Sequence, residues 1–204
     1  MKLVFTTIPM KQDTTPLCYP VDGNKTIEYE RRVIFPVNAV LAQTMRKNEQ
    51  VKVIRLMNVS GASGENAKKM ETELKNINKD IEAFISFEDV IEAFVEDKKT
   101  LESRFRQLIT LLEPNADIIA DVTYGQKTLP MVLFSVLTFA EKFFNADIKN
   151  IVYGKVEFEN GKPISGTQML YDITPLYYLN SLVTAMEAPD GKSAVKIINR
   201  FFNL

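Results

Sequence analysis

Apolar residues in this chain fall into two kinds of run: short, β-branched stretches closed by Gly or Pro, and longer stretches whose apolar residues lie three or four apart. Residues 3–8 are of the first kind and end at Pro9, which predicts a buried first strand and then a polar loop over residues 11–15. Residues 17–21 and 26–29 flank Asp22-Gly23-Asn24, a turn signal that predicts a small hairpin before a first helix at residues 36–47. Residues 51–57 read as a second parallel strand. Ala67, Met70, Leu74 and Ile77 make one apolar stripe on a helix over residues 65–79, with Ser63 as its expected cap. Residues 81–95 fit both strand and helix, with a strand placed near 83–87, and Thr100 opens a helix carrying Leu101, Phe105, Leu108 and Leu112 on one side.

Residues 117–123 are apolar from Ile118 to Val122 apart from Asp121, as expected of a central parallel strand covered on both faces. Gly125 supplies the turn, Thr128 the expected cap and Pro130 the first turn of a helix over residues 129–145. That helix is apolar nearly all round in its first half, which predicts burial on more than one side, by its own sheet or by another subunit. Residues 151–158 and 167–173 surround Asn160-Gly161 and read as a late antiparallel pair on a sheet edge. Helices follow from Thr174-Pro175 to about Glu187 and over a final segment with Ala194, Ile197, Ile198, Phe201 and Phe202 on one face. The alternation predicts an α/β fold, a Rossmann-like doubly wound, mostly parallel sheet with a late antiparallel edge hairpin and C-terminal helices. Residues 1–175 form the main expected domain, and residues 176–204 are helices that pack on it, on a dimer partner or on a fused effector.

Composition narrows the chemistry. The chain has 204 residues, a formal net charge of −1 and no histidine. Histidine is the commonest general base near neutral pH and the commonest transition-metal ligand, so its absence removes Ser-His-Asp and Cys-His chemistry. The charge balance argues against a generally basic surface for duplex nucleic acid. Cys18 is the single cysteine, which excludes a disulfide framework and fits a reducing compartment, with the cytoplasm the simplest expectation. The apolar start of the chain is too short for a signal peptide, and no apolar run reaches the roughly 18 residues needed to span a bilayer.

In an open α/β sheet, ligands lie beyond the carboxyl ends of the parallel strands. That rule selects residues 6–15, 58–64 and 123–128. The third loop is the richest, since Thr123-Tyr124-Gly125-Gln126-Lys127 sets a hydroxyl, a ring, a glycine, an amide and a cation at a helix start, where an anion is favoured. The same residues also suit an ordinary βα turn, and local pattern leaves both readings open. Residues 60–64 lack the full dinucleotide spacing, and Gly191-Lys192-Ser193 lacks the earlier Walker glycine, Met186 standing in its place. The carboxylates are spread over solvated helix faces, as at Glu71, Glu73, Glu96 and Asp97, and Tyr177 and Tyr178 suit core and interface roles.

The stretch Asp121-Val122-Thr123-Tyr124-Gly125-Gln126-Lys127-Thr128-Leu129-Pro130 resembles the signature of CARF (CRISPR-associated Rossmann fold) proteins, an Asp-hydrophobic-Thr-x-Gly-x-Arg/Lys run at a strand end. Residues 151–155 and 171–176 are similar to that family's following strand and strand-to-helix step. The resemblance implies a homodimer whose groove binds a cyclic oligoadenylate, cyclic tetra-adenylate favoured, to regulate a type III CRISPR antiviral response, with no cofactor and no metal. It places Gly125, Gln126 and Lys127 against the ring, joined by Thr6, Thr7 and Lys11. With neighbours in the selected loops, the candidate ligand-binding set also takes in Met10, Asn58, Ser60, Thr123 and Tyr124. The first loop departs from the family, with Thr7-Ile8-Pro9-Met10 where relatives often carry glycines. The alternative is a metal-independent ring nuclease, in which a ribose 2′-hydroxyl attacks its own phosphate and Lys127 and Lys11 stabilise the developing charge.

Overall fold

The structure, a computed structural model, describes every residue except Gln12, Asp13, Phe94, Asn203 and Leu204, so part of the polar loop at 11–15 and one position of the ambiguous segment 81–95 lie outside the described residues. Two units are present, Met1–Thr174 and Pro175–Leu204.

The first unit is α/β. Its strands are β1 (Lys2–Thr7), β2 (Val21–Asp22), β3 (Gln50–Asn58), β4 (Phe84–Glu92), β5 (Asp117–Asp121), β6 (Asp147–Lys155), β7 (Phe158–Glu159), β8 (Lys162–Pro163) and β9 (Met169–Asp172). Its helices are α1 (Pro36–Thr44), α2 (Ser63–Asn78), α3 (Lys98–Ile109) and α4 (Leu129–Phe144). Seven strands form one sheet in the order β2-β9-β6-β5-β1-β3-β4, and β7-β8 form a separate small hairpin. Every pairing in the large sheet is parallel except β6 with β9. The fold is therefore Rossmann-like, with a mostly parallel sheet.

The buried strands look as their composition demands. All six residues of β1 are buried, as are Ile118, Ile119 and Ala120 of β5, because helices cover both sides of the sheet: α1 packs with α2, and α3 with α4. Lys2 stays inside because its ammonium donates to Glu49 at 2.9 Å and to the Thr44 carbonyl. The N-terminus of α1 has no cap from its own N-cap residue Phe35. Glu73 of α2 takes that role across the gap, accepting from Ile34 N at 2.7 Å, Phe35 N at 3.3 Å and Asn38 Nδ2 at 2.8 Å.

Several expectations need correction. The hairpin at residues 17–29 does not form. Asn24 Oδ1 accepts from Thr26 N at 3.1 Å and starts a 3-10 turn, Lys25–Ile27, whose Ile27 is buried. Freed from a local partner, Val21–Asp22 pairs in parallel with β9, and Leu17 bridges to Val33. Ser63 is not the cap of α2: Ala62 holds that position, and the Ser63 hydroxyl is buried in the first turn. Thr128 does stand at the N-cap of α4, but its hydroxyl donates to Glu96 Oε1 at 2.7 Å instead of accepting from the helix. The strand placed at residues 83–87 runs to Glu92, since as the sheet edge β4 needs an apolar residue only at alternate points and tolerates Glu88, Asp89 and Glu92.

The second unit consists of α5 (Thr174–Ala185, its first residue closing the first unit) and α6 (Gly191–Phe202). Helix α6 is amphipathic, and Val195, Phe201 and Phe202 on it are exposed. Among the described residues no helix is long and apolar enough to cross a membrane.

Candidate functional site

The strand order reverses at β1: β3 lies on one side of it and β5 on the other, so the crevice at their carboxyl ends is the sheet's topological switch point. Two hydrogen-bond systems build the crest there. Asp121, at the end of β5 and fully buried, accepts from the Thr6 hydroxyl at 2.9 Å, from Thr123 N at 2.9 Å and from the Thr123 hydroxyl. The Thr123 oxygen also accepts from Gly154 N at 2.8 Å, which ties β5 to β6. Beside it, Tyr124 N donates to Thr7 Oγ1 at 2.9 Å and ties β5 to β1. Burial pushes Asp121 up to about 6 despite the three bonds it accepts.

After Tyr124 the chain turns sharply. Gly125 has φ +95°, and a Cβ there would also lie 3.1 Å from Leu129 Cδ2, so the turn suits glycine twice over. The turn brings Gln126 inward and leaves Lys127 exposed. Gln126 is 7% exposed; its Oε1 accepts from Arg104 Nη1 at 2.8 Å, while its Nε2 has no hydrogen-bond partner among the described residues. Arg104 of α3 is held in turn by Glu92 of β4, Nε to Oε2 at 2.8 Å. One cleft is lined by Met10, Asn58, Glu92, Arg104, Gly125 and Gln126.

The sequence-selected residues thus separate by role. Met10, Asn58, Gly125 and Gln126 meet in the cleft. Thr6, Thr7 and Thr123 spend their hydroxyls on the crest itself. The Tyr124 ring packs against the core and its hydroxyl lies 3.5 Å from the Ile34 carbonyl; burial raises its pKa further above the ordinary phenol value. Asn58 Oδ1 accepts from Ser60 N at 2.9 Å and Ser60 Oγ at 2.7 Å, which fixes the second loop and leaves Ser60 exposed. Lys11 and Lys127 are both exposed cations. Asn66 of α2 holds the first loop, donating from Nδ2 to the Pro9 and Lys11 carbonyls at 2.8 Å each.

Glu92, Arg104, Asn66 and Glu96 are the site residues that sequence reading did not select. Only tertiary packing brings them to the crest, and no local pattern marked them. Glu96 is notable chemically: its carboxylate, taking the Thr128 hydroxyl and lying 3.4 Å from Thr128 N, occupies the start of α4, where helix geometry favours an anion. The chain matches no protein-family model and no curated protein.

Proposed function

We propose that this chain is a cytoplasmic sensor domain of the CARF kind, binding a cyclic oligoadenylate, cyclic tetra-adenylate first, at the interface of a homodimer that regulates a type III CRISPR response. The observation that carries the reading is the end of β5: Asp121 organises Thr6 and Thr123, and the turn at Gly125 then sets Gln126 in the lining of the switch-point cleft and leaves Lys127 exposed just before α4. A ring phosphate there meets the positive helix end and Lys127, while Gln126, a lining residue of the cleft whose Oε1 is held by Arg104 and whose buried Nε2 has no partner among the described residues, offers a donor once a ligand opens access to it. Glu96 then competes with the phosphate for the same helix start. Homodimer formation is supported by apolar side chains that α4 leaves outside, Met131 at 72% and Phe143 at 62% exposure.

This arrangement makes two substitutions diverge. Lys127→Ala removes a charge-assisted contact from an exposed side chain and is expected to weaken ring binding about tenfold with an unchanged unfolding midpoint. Glu96→Ala removes the competing carboxylate and is expected to tighten it severalfold. Titration of both variants with cyclic tetra-adenylate reads the effects; equal affinity in wild type and both variants contradicts the site. Chromatography of the recovered ligand separates sensing from the ring-nuclease alternative, which requires linear products with a cyclic phosphate terminus.

A further inference from the structure

A second, chemically different feature lies between residues 29–34 and the outer side of α2. An open groove of about 660 Å³ is lined by Tyr29, Arg31, Arg32, Lys68, Lys69 and Ile77 among others, and it shares no lining residue with the switch-point cleft. Its four cations stand on two walls, Arg31 and Arg32 on the loop and Lys68 and Lys69 on one turn of α2, all exposed. In a chain with a net charge of −1, that is a strong local concentration of positive charge.

Of the cations, Lys69 is already engaged, its ammonium lying 3.5 Å from Thr14 Oγ1, and among the described residues the carboxylates around the groove are largely bound to other groups. Glu73, in the groove wall, turns its oxygens to Ile34 N, Phe35 N and Asn38 Nδ2, and burial raises its pKa. Glu71 is bound to Arg55 and Lys75, and Glu28 to Lys25 and Val21 N. Glu30 and Glu65 are exposed neighbours along the chain. Between the walls the surface is apolar and aromatic: Tyr29, Ile34 and Ile77 are partly buried against the core and line the groove floor.

Cations on both rims with a tyrosine ring and aliphatic floor between them suit a strand whose phosphates lie outward and whose bases lie inward. We propose that this groove binds a single-stranded oligonucleotide, with bases against Tyr29, Ile34 and Ile77 and phosphates along Arg31, Arg32, Lys68 and Lys69. An acidic peptide would use the same cations but has no base faces for the aromatic and aliphatic floor. The inference does not depend on the sensor reading, because no residue is shared.

Fluorescence anisotropy with labelled oligouridylate of about ten nucleotides tests it, a uridylate probe being chosen to avoid the adenylate site. With four phosphate contacts, affinity should fall about 50-fold between about 50 and about 200 mM salt, a slope of roughly −3 on logarithmic axes. Arg31→Ser with Arg32→Ser should halve that slope and weaken low-salt binding at least about tenfold. Tyr29→Leu should weaken binding severalfold without changing the slope, and Lys127→Ala should change neither. An oligothymidylate arm distinguishes RNA from DNA as the source of the strand. The proposal is overturned by no binding at low salt, by binding that the double arginine variant leaves intact, or by polyglutamate displacing the probe as well as unlabelled oligonucleotide does.

Discussion

Asp121→Ala is expected to destabilise the protein by about 3–5 kcal/mol, whereas Asp121→Asn is expected to leave it folded and to change its response to pH. The alanine variant strips the acceptor from the Thr6 hydroxyl, which is buried with Asp121, and from the partly buried Thr123 hydroxyl and Thr123 N. The asparagine variant keeps a carbonyl oxygen for Thr123, and the Thr6 hydroxyl can turn to accept from the new amide. The pH effect follows from burial, which lifts Asp121 from 3.8 to about 6. As pH rises between those values, the unfolded chain gives up its proton while the native one retains it, so stability falls over that window and levels off above it. The full difference is about 3 kcal/mol, and Asp121→Asn should abolish it. Urea unfolding of wild type and variant at about pH 4 and pH 7.5 measures the change; equal pH dependence in the two would place the buried charge elsewhere.

Gly154→Ala is expected to cost about 2–3 kcal/mol although it adds only a methyl group. The added carbon would stand 2.6 Å from Pro36 Cγ, 3.1 Å from Pro36 Cβ and 3.2 Å from Thr123 Cγ2. A proline ring at the first turn of α1 cannot rotate away, so β6 must shift, and Gly154 N is the group that donates to Thr123 Oγ1. The substitution should therefore loosen the crest together with the fold. Denaturant unfolding gives the first effect, and hydrogen exchange at Thr123 and Tyr124 the second. An unchanged midpoint would mean that the strand yields without strain.

How far these features were legible in the chain depends on whether they are local. The central strands β1 and β5 show directly, because burial on both faces demands largely apolar runs, and β3 shows by its β-branched content although Lys52 and Arg55 interrupt it. The edge strand β4 shows only in part, since Glu88, Asp89 and Glu92 interrupt its apolar residues, and their value lies in pairing with Lys52, Arg55 and Arg104 on other elements. The segment 17–29 misleads because Asp22-Gly23-Asn24 has the composition of a hairpin turn, while Asn24 in fact caps a 3-10 turn and Val21 finds its partner in β9, far along the chain. At the candidate site, the switch-point rule selects three loops, from which Met10, Asn58, Gly125 and Gln126 come to line one cleft. It does not tell a hydroxyl committed to the scaffold, as in Thr6 and Thr7, from an amide nitrogen with no partner among the described residues, as in Gln126. Nor does it reach Arg104 and Glu92, which orient that amide from α3 and β4.

Calorimetric titration of the unmodified protein with cyclic tetra-adenylate, and in parallel with cyclic hexa-adenylate, tests the sensor assignment most directly. Saturable binding of cyclic tetra-adenylate at one ring per two chains is the expected result. Absence of binding to either ring would contradict it.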